Sequence, residues 1–244
     1  MEEQLYRKFF EVETTHWWFT ARQRIVSDVI EQNVTLAPNA KILDVGCGTG
    51  AILAMFQKKF EAYGTDTSAL AIEFCHQRGL ANTFCCTLDT FPHPELRFDL
   101  ITLLDVIEHI DSDSDVLRQA YTISKPDGHI LVTVPAYQFL WSRHDDLNHH
   151  KRRYSKSQLK SVLEASGFTL EKLSYYNSLL FPTALVSRMA ARIVKPKTDT
   201  TLDLPPRFIN SLLGSIFGFE RFLLRGIRLP FGLSLIALAK KGNA

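Results

Sequence analysis

Three ionisable residues within one short segment have the types and spacing for chemistry: Asp105, Glu108 and His109, at positions i, i+3 and i+4. If this segment is a helical turn, the three side chains project from one side of it. Two carboxylates and an imidazole suit a divalent cation such as Mg²⁺, Mn²⁺ or Zn²⁺. An imidazole could instead take a proton from a substrate hydroxyl, because its pKa lies near working pH. Further candidate ligands follow the next predicted strand: His144, His149 and His150.

A glycine-rich turn lies earlier in the chain. Residues 42–50, Ile-Leu-Asp-Val-Gly-Cys-Gly-Thr-Gly, form an apolar strand that leads into a Gly-x-Gly-x-Gly turn. Glycine has no Cβ and tolerates unusual dihedrals, so a cofactor can lie against its bare backbone. Asp66 ends the next predicted strand, where a carboxylate can accept both hydroxyls of a ribose. Asp44 precedes the first glycine by two residues, where it could hold a cationic amino-acid tail. A cofactor that joins adenosine to such a tail is therefore favoured over a dinucleotide.

Alternating strands and helices must position these residues. The predicted strands are 41–45, 62–66, 82–86, 99–104, 129–134, 169–176 and 234–239, and the predicted helices between them are 51–59, 68–78, 112–124 and 157–166. This alternation predicts an α/β fold with a doubly wound, seven-stranded, mostly parallel sheet. Its ligand crevice is expected at the carboxyl ends of the strands. Residues 2–33 carry apolar residues near helical spacing and are predicted to form a helical arm.

At these motifs the chain resembles the class I S-adenosylmethionine-dependent methyltransferases, over roughly residues 20–180. Residues 44–50 resemble their first motif and Asp66 their ribose-binding acid. Residues 98–110 resemble their fourth strand with its following turn, and residues 125–135 their fifth strand. Bacterial small-molecule methyltransferases of types 11 and 12 are the most similar branch, with some resemblance to ubiquinone-biosynthesis O-methyltransferases. The resemblance implies a Rossmann-like methyltransferase fold with S-adenosyl-L-methionine as cofactor, and possession of methyltransferase activity.

The resemblance also implies roles for particular residues. The expected cofactor-binding residues are Arg22, Asp44, Gly46, Cys47, Gly48, Gly50, Asp66, Thr67, Leu88 and Leu104. Asp44 and the glycines would cradle the methionine part, while Thr67 and Leu88 would contact the adenine. Arg22 would face the methionine carboxylate, and the Leu104 carbonyl would accept from its amino group. Thr87 aligns where the family often has an adenine-binding Asp, which departs from the pattern.

Acceptor activation is expected from Glu108, His109 and His150. The spacing of Asp105, Glu108 and His109 resembles two metal-using branches of the superfamily, so a divalent cation at these three residues is one hypothesis. The alternative is a metal-free site, because many relatives without a metal have Glu-His here, where it shapes the turn and the methionine pocket.

The segment 144–154 is dense in ionisable groups and should overhang the active site. It resembles a His-x-Arg-Arg-Tyr signature of a bacterial branch that is often predicted to act in cell-surface glycan or lipid pathways. The matched residues are His150, Arg152, Arg153 and Tyr154. Planar guanidinium groups bind phosphate or carboxylate bidentately, so the arginines could contact an anionic substrate. They could equally pair with neighbouring acids and hold the loop in place.

The chain is predicted to divide into an N-terminal helical arm or cap (1–38), a methyltransferase core (39–180 and 229–244) and a helical insertion (181–228). Helices are predicted at 182–194 and 206–227 within the insertion. Its basic residues are Arg188, Arg192, Lys195, Lys197, Arg207, Arg221, Arg225 and Arg228. An apolar face with basic flanks suits a lid over the acceptor pocket, a dimer contact, or a membrane surface or lipid-tailed substrate.

Composition narrows the function class. The net charge of +2 over 244 residues gives no strong field for nucleic acid, so the expected partner is a small-molecule or lipid-linked substrate. The four cysteines form no Cys-x-x-Cys pair and are expected to be reduced, which indicates a cytoplasmic protein. The acidic first residues are unlike a signal peptide, and apolar runs fall short of the roughly 20 residues of a membrane span. Peripheral membrane association through 181–228 is compatible with this location.

The sequence therefore predicts an S-adenosylmethionine-dependent methyltransferase that methylates an oxygen of a small, lipid-linked or glycan-linked acceptor. Three alternatives stay open: a metal-dependent RNA 2′-O-methyltransferase, a non-catalytic scaffold that kept the cofactor fold, and, more remotely, a nicotinamide dehydrogenase. The modest charge and the apolar insertion count against RNA. The intact glycines and Asp66 count against the scaffold.

Overall fold

A seven-stranded sheet organises the chain in this computed structural model, which describes residues 3–186 and 203–242 except for the side chain of His144. The strands are β1 (Lys41–Val45), β2 (Glu61–Asp66), β3 (Thr83–Cys85), β4 (Phe98–Leu104), β5 (Ser124–Pro135), β6 (Phe168–Tyr176) and β7 (Ser234–Lys241). Their order in the sheet is β3-β2-β1-β4-β5-β7-β6, and β7 runs antiparallel to both of its neighbours. The predicted fold class, a doubly wound and mostly parallel sheet, is confirmed.

Helices cover the sheet and connect its strands. They are α1 (Glu3–Val12), α2 (Trp17–Asn33), α3 (Ala51–Gln57), α4 (Ala69–Gln77), α5 (Asp113–Ile123), α6 (Arg143–Leu147), α7 (Lys156–Ala165) and α8 (Arg207–Gly226). Ser68 and Ser155 accept hydrogen bonds from backbone amides three residues on and so cap α4 and α7. Residues 181–186 are also helical, while the rest of the predicted helix 182–194 lies outside the described residues.

The core lies along the central strands β1, β4 and β5. Successive residues of these strands are fully buried, as in Leu100-Ile101 of β4 and Ile130-Leu131-Val132 of β5. Burial of both alternating faces is expected for a parallel strand that is covered by helices on each side. The rigid centre therefore presents the carboxyl ends of β1 and β4 side by side, since these strands are paired directly.

The prediction of a helix over 2–33 is wrong in one respect, because the arm is broken between α1 and α2. Residues 13–16 form a turn, and the His16 ring accepts a hydrogen bond from the Trp18 amide at 3.3 Å, capping α2. The break lets Glu13 turn inward, where it is 8% exposed. A continuous helix would not bring this carboxyl group to the same contacts.

The described part of the insertion packs against the arm. The Asn210 side-chain oxygen of α8 accepts from the Trp17 amide at 2.9 Å, and its amide nitrogen donates to the Thr15 carbonyl oxygen at 2.9 Å. Gly214 allows close approach, since a Cβ there would lie 3.5 Å from the Trp17 Cβ. The predicted helix 206–227 is confirmed as α8. The three-part division of the chain stays a prediction.

Candidate functional site

The glycine turn between β1 and α3 has a backbone that favours glycine at each of its three glycines. Gly46, Gly48 and Gly50 have φ of 71°, 55° and 87°. A Cβ at Gly50 would lie 2.5 Å from the Leu80 Cδ1 atom, whereas a Cβ at Gly48 would have nothing within 4 Å. The space on the side of Gly48 where a Cβ would point is therefore free. This is the cradle that a cofactor lying against backbone requires.

Asp66 closes the other side of this turn at the end of β2. One carboxylate oxygen accepts from the Gly48 amide at 2.9 Å, and the other accepts from the Ser68 amide at 2.9 Å. The Tyr6 hydroxyl of α1 lies 3.5 Å from the second oxygen. Burial raises the pKa of Asp66, while the two amide hydrogen bonds act in the opposite direction. A carboxylate fixed by amides at the turn is positioned to accept from sugar hydroxyls.

Asp44 lies at the carboxyl end of β1 and is almost fully buried. The Thr102 hydroxyl of β4 donates to one of its carboxylate oxygens at 2.6 Å. Burial nevertheless raises the pKa of Asp44 to about 7. A carboxyl group with this pKa binds a cation more tightly as pH rises, because the cation favours the charged form.

The broken arm binds the glycine turn through Glu13, a contact that sequence reasoning missed. The Thr49 hydroxyl and the Arg78 guanidinium of the α4 end both contact the Glu13 carboxylate. Arg78 also donates to the Thr49 carbonyl oxygen at 2.7 Å. Burial raises the pKa of Glu13. The sequence held one signal of this contact, an ionisable residue among the aromatic residues of the arm. No local pattern indicated its partners.

Arg22 of α2 reaches the carboxyl end of β4, where it has an anionic partner within the protein. Its guanidinium forms an ion pair with Asp105 and donates to the Thr133 hydroxyl at 3.2 Å. The guanidinium also lies over the Trp18 ring, 5.2 Å from its centroid. Asp105 has a φ of 59°, an unfavourable value for a residue with a Cβ. This backbone conformation places the Asp105 carboxylate at the Arg22 guanidinium.

The other predicted cofactor residues lie around the same strand ends. The Cys47 amide donates to the Thr65 carbonyl oxygen at 2.9 Å, and its thiol lies 3.9 Å from the Cys75 thiol. Thr67 is exposed after β2. Leu88 is buried and begins a 3-10 turn after β3, and Leu104 ends β4. Their roles toward a cofactor stay predictions.

The turn after β4 brings Glu108, His109 and His150 together. One ligand atom of each lies within 4.8 Å of the others, and the two imidazole rings meet edge to face with centroids 4.6 Å apart. Glu108 is fully buried, and neither of its carboxylate oxygens has a hydrogen-bond partner among the described residues. Burial raises the pKa of Glu108 well above its usual range and lowers the pKa of His109 to about 4.

The structure groups Glu108 and His109 with His150, whereas the Asp105 carboxylate is ion-paired with Arg22. Residues 107–109 are a 3-10 turn, and Asp105 lies outside it in its own strained conformation. His150 takes the third position instead, since the Lys151 amide donates to the Glu108 carbonyl oxygen at 2.7 Å. His149 is exposed, and the side chain of His144 lies outside the described residues.

This cluster adjoins the glycine turn. A Cβ at Gly46 would lie 2.6 Å from the Cγ2 atom of Val106, the residue between Asp105 and the 3-10 turn. The first glycine therefore packs directly on the segment that holds Glu108 and His109. A group bound at the turn and a group bound at the cluster would be neighbours.

The arginines of the 150–154 segment contact the protein itself. Arg153 forms two hydrogen bonds with the buried Asp145 carboxylate, at 2.7 and 2.9 Å, and the His150 Nδ1 atom lies 2.9 Å from the same carboxylate. These partners hold the pKa of Asp145 well below its usual range against the effect of burial. Arg152 donates to the Ile110 and Asp111 carbonyl oxygens.

Tyr154 completes the segment: its hydroxyl donates to the Asp113 carboxylate at 2.7 Å. One of the two sequence hypotheses was that the arginines pair with neighbouring acids and hold the loop in place. That hypothesis holds for Arg153. The result for the site is that His150 is fixed through Asp145 and Arg153.

An aromatic wall that sequence reasoning missed lies beside the cluster, formed by Tyr137, Phe139, Phe181 and Phe231. Neighbouring ring centroids are 5.2 Å (Tyr137–Phe139), 6.1 Å (Tyr137–Phe181) and 5.6 Å (Phe181–Phe231) apart. Phe139 is 60% exposed and Phe231 45% exposed. The Tyr137 amide donates to the Tyr154 carbonyl oxygen at 3.0 Å, and the Tyr154 hydroxyl donates at 3.4 Å to the carbonyl oxygen of Ile107, the residue before Glu108. Phe181 and Phe231 are distant in sequence from Tyr137 and Phe139, so no local pattern indicated the wall.

The chain is similar in sequence to known methyltransferases. A family model described as a methyltransferase domain matches residues 18–173. The ubiquinone biosynthesis O-methyltransferase of Pseudomonas entomophila is 31% identical over 137 residues, which cover 50% of this chain and 58% of that protein. The mitochondrial ubiquinone biosynthesis O-methyltransferase of Saccharomyces cerevisiae is 29% identical over 120 residues, 45% of this chain and 38% of that protein. The matched stretches thus span about half of these relatives.

A solved structure has the same fold over nearly the whole chain. Phosphoethanolamine N-methyltransferase 2 of Haemonchus contortus, in complex with S-adenosyl-L-methionine, matches with a TM-score of 0.56 at 17% identity. The match covers 98% of this chain and 60% of that one. At this identity the likeness concerns the fold.

Proposed function

We propose that this chain, which belongs to the methyltransferase domain family, transfers a methyl group from S-adenosyl-L-methionine to an oxygen of a small, lipid-linked or glycan-linked acceptor. The predicted class, a class I S-adenosylmethionine-dependent methyltransferase, is confirmed by the family match. The observation that carries the proposal is the packing of Gly46 on Val106. It joins a cofactor cradle to a cluster of ionisable side chains at the next strand.

The residues of the turn fit the cofactor. Gly48 leaves open space against bare backbone, Asp66 offers a fixed carboxylate for ribose hydroxyls, and Asp44 offers a buried carboxyl group for a cationic tail. S-adenosylmethionine supplies an electrophilic methyl group on a sulfonium when it is bound. The contribution of the chain is to hold the acceptor oxygen in line with that methyl and to exclude water.

Glu108, His109 and His150 are the proposed acceptor-side residues. An acceptor hydroxyl must lose its proton as the new bond to carbon forms. The imidazoles of His109 and His150 can accept that proton, while the buried Glu108 carboxyl group can hydrogen-bond to the acceptor. His150 is held through Asp145 and Arg153, so its position is set before any acceptor arrives. A side chain that is already in position reduces the entropic cost of reaching the reactive arrangement.

The aromatic wall supports an acceptor with an apolar part. Phe139 and Phe231 keep about half of their surface exposed. Neighbouring aromatic rings that are exposed on a protein surface often mark a binding site. A lipid tail or an aromatic ring would cover Tyr137 and its neighbours while the reacting hydroxyl faces the histidines. An RNA acceptor is less well supported, because the net charge is only +2.

We further propose that the same three side chains hold a divalent cation. Two imidazoles and one carboxylate with ligand atoms inside 4.8 Å match the donor set of Zn²⁺ or Mn²⁺. A cation there would satisfy the Glu108 oxygens, which have no hydrogen-bond partner among the described residues. When bound it would lower the pKa of an acceptor hydroxyl and orient it.

The cofactor proposal is tested by calorimetric titration with S-adenosylhomocysteine. Asp66→Ala should abolish measurable binding, whereas Glu73→Ala, which removes an exposed carboxylate from α4, should leave the affinity unchanged. Binding by Asp66→Ala with wild-type affinity would contradict the cofactor assignment. A folded wild type that binds neither S-adenosylmethionine nor S-adenosylhomocysteine would favour the scaffold alternative.

The acceptor and the cation are tested next with a methyl-labelled cofactor and pools of lipid-linked glycans and small phenols. The methyl label should appear in an ether or ester product, and its transfer should require the cluster of Glu108, His109 and His150. His109→Asn and His149→Asn form a matched pair, because only the first belongs to the cluster. Titration with Co²⁺ should give visible absorption with His149→Asn and none with His109→Asn. Equal Co²⁺ binding by both variants, or turnover unchanged by chelators, would refute the cation.

A further inference from the structure

Helix α8 exposes large apolar side chains on the face that points away from the protein. The exposed fractions are 78% for Phe208, 48% for Leu212, 52% for Phe219 and 45% for Phe222. Their spacing of four, seven and three residues keeps them on one side of the helix. Because single exposed apolar residues are ordinary but a continuous stripe is not, this face is expected to have an occupant.

The opposite face of α8 is already occupied. Phe217 meets the Trp17 ring at 6.0 Å between centroids, and Glu220 accepts from the Ser178 and Leu179 amides at 2.7 Å each. The helix is thus held firmly on the protein by one face. The exposed stripe cannot be explained as the core-facing side of a loosely placed helix.

Arginines border the stripe. Arg221 and Arg225 both lie against the Phe222 ring, at 4.5 and 5.2 Å from its centroid. Arg207, Arg221 and Arg228 have no carboxylate within 4 Å among the described residues, while Arg225 pairs with Asp28. The acidic residue of α8, Glu220, is buried on the other side. The arginines of α8 therefore outnumber its one carboxylate, which is buried, while Asp28 and Glu31 of α2 line the cleft beside Arg221.

We propose that the α8 stripe lies on the surface of a membrane that contains anionic lipids. Apolar side chains would enter the boundary between headgroups and acyl chains, while the arginines would meet lipid phosphates. A second copy of the chain fits less well, because a symmetric contact would bring the same positive charges together. Among the helices of residues 3–186 and 203–242, none is both long enough and apolar enough to cross a membrane.

The proposal goes beyond the proposed activity and is measured without catalysis. Wild-type protein is sedimented with phosphatidylcholine vesicles and with vesicles that also contain phosphatidylglycerol. The double variant Leu212→Asp/Phe219→Asp should bind the anionic vesicles at least about tenfold more weakly, since two apolar side chains are lost and two negative charges are added. The control variant Gln77→Asp/Ser161→Asp adds the same two charges at exposed positions of α4 and α7 and should bind like wild type.

Salt and oligomeric state separate the outcomes. Raising the salt from about 0.1 M to about 0.5 M should weaken binding to anionic vesicles, because the Debye length shortens. Equal binding to both vesicle types, or no binding by monomeric wild type, would overturn the proposal. So would a wild-type dimer that the Leu212→Asp/Phe219→Asp variant converts to monomer, since a second copy would then occupy the stripe. Unchanged S-adenosylhomocysteine affinity and thermal unfolding of the variants confirm that they are folded.

Discussion

Cofactor binding should be coupled to deprotonation of Asp44. The carboxyl group is buried, and its pKa of about 7 leaves it largely protonated in the free protein at pH 6. The positive amino-acid end of S-adenosylhomocysteine favours the ionised form, so the bound state has a lower pKa. Binding must then release a proton whenever the pH lies below about 7.

The magnitude follows from the fraction of Asp44 that is already ionised. At a pKa of about 7, roughly one molecule in eleven is ionised at pH 6 and roughly ten in eleven at pH 8. The affinity for S-adenosylhomocysteine should therefore be about tenfold weaker at pH 6 than at pH 8, or about 1.4 kcal/mol. The sign is set by burial, which raises the pKa of the free carboxyl group.

Calorimetric titration at pH 6, 7 and 8 measures the affinity, and the use of two buffers with different ionisation enthalpies measures proton release. Asp44→Asn should bind weakly with little pH dependence. Thr102→Val removes the hydroxyl that donates to Asp44, so the pH midpoint should move upward. A dissociation constant that is constant from pH 6 to 8, without proton release, would refute the reasoning.

Three further predictions concern the turn, the insertion and the loop. Gly48→Ala and Gly79→Ala both place a Cβ in open space at positive φ and should each cost about 1–2 kcal/mol of unfolding free energy, but only Gly48→Ala should lose S-adenosylhomocysteine affinity. In chemical denaturation, Glu220→Ala should cost about 1–3 kcal/mol more than Glu220→Gln, which keeps an oxygen for two buried amides. Asp145→Asn should cost about 3–5 kcal/mol because it leaves Arg153 buried without a charge partner; a loss below about 1 kcal/mol would contradict that pairing.

Local patterns were sufficient for the sheet and its glycine turn. The alternation of apolar strands and capped helices predicted all seven strands, because burial of a parallel strand requires a continuous apolar run. Six of them match within two residues at each end, whereas β5 begins five residues before the predicted start. The family was recognisable for a similar reason: residues 44–50 are contiguous, and their backbone conformation needs glycine.

The arrangement at the end of β4 could not be predicted in the same way. A helical spacing suggested that Asp105 faces Glu108 and His109, but Asp105 adopts φ of 59° and pairs with Arg22 from another element. His150 joins Glu108 instead, over a separation of 42 residues. Spacing rules describe neighbours within one element, and this cluster is built from two.

The sequence by itself determined the fold class, the cofactor turn and the residue types available for chemistry, since each depends on contacts within a few residues. Only the tertiary structure decided which of those residues meet. Glu13 at Thr49, the aromatic wall around Tyr137 and the outward stripe of α8 all depend on contacts between elements distant in sequence. Such contacts are set by how helices pack on a sheet, because the same apolar pattern is satisfied by several packings until the whole core is assembled.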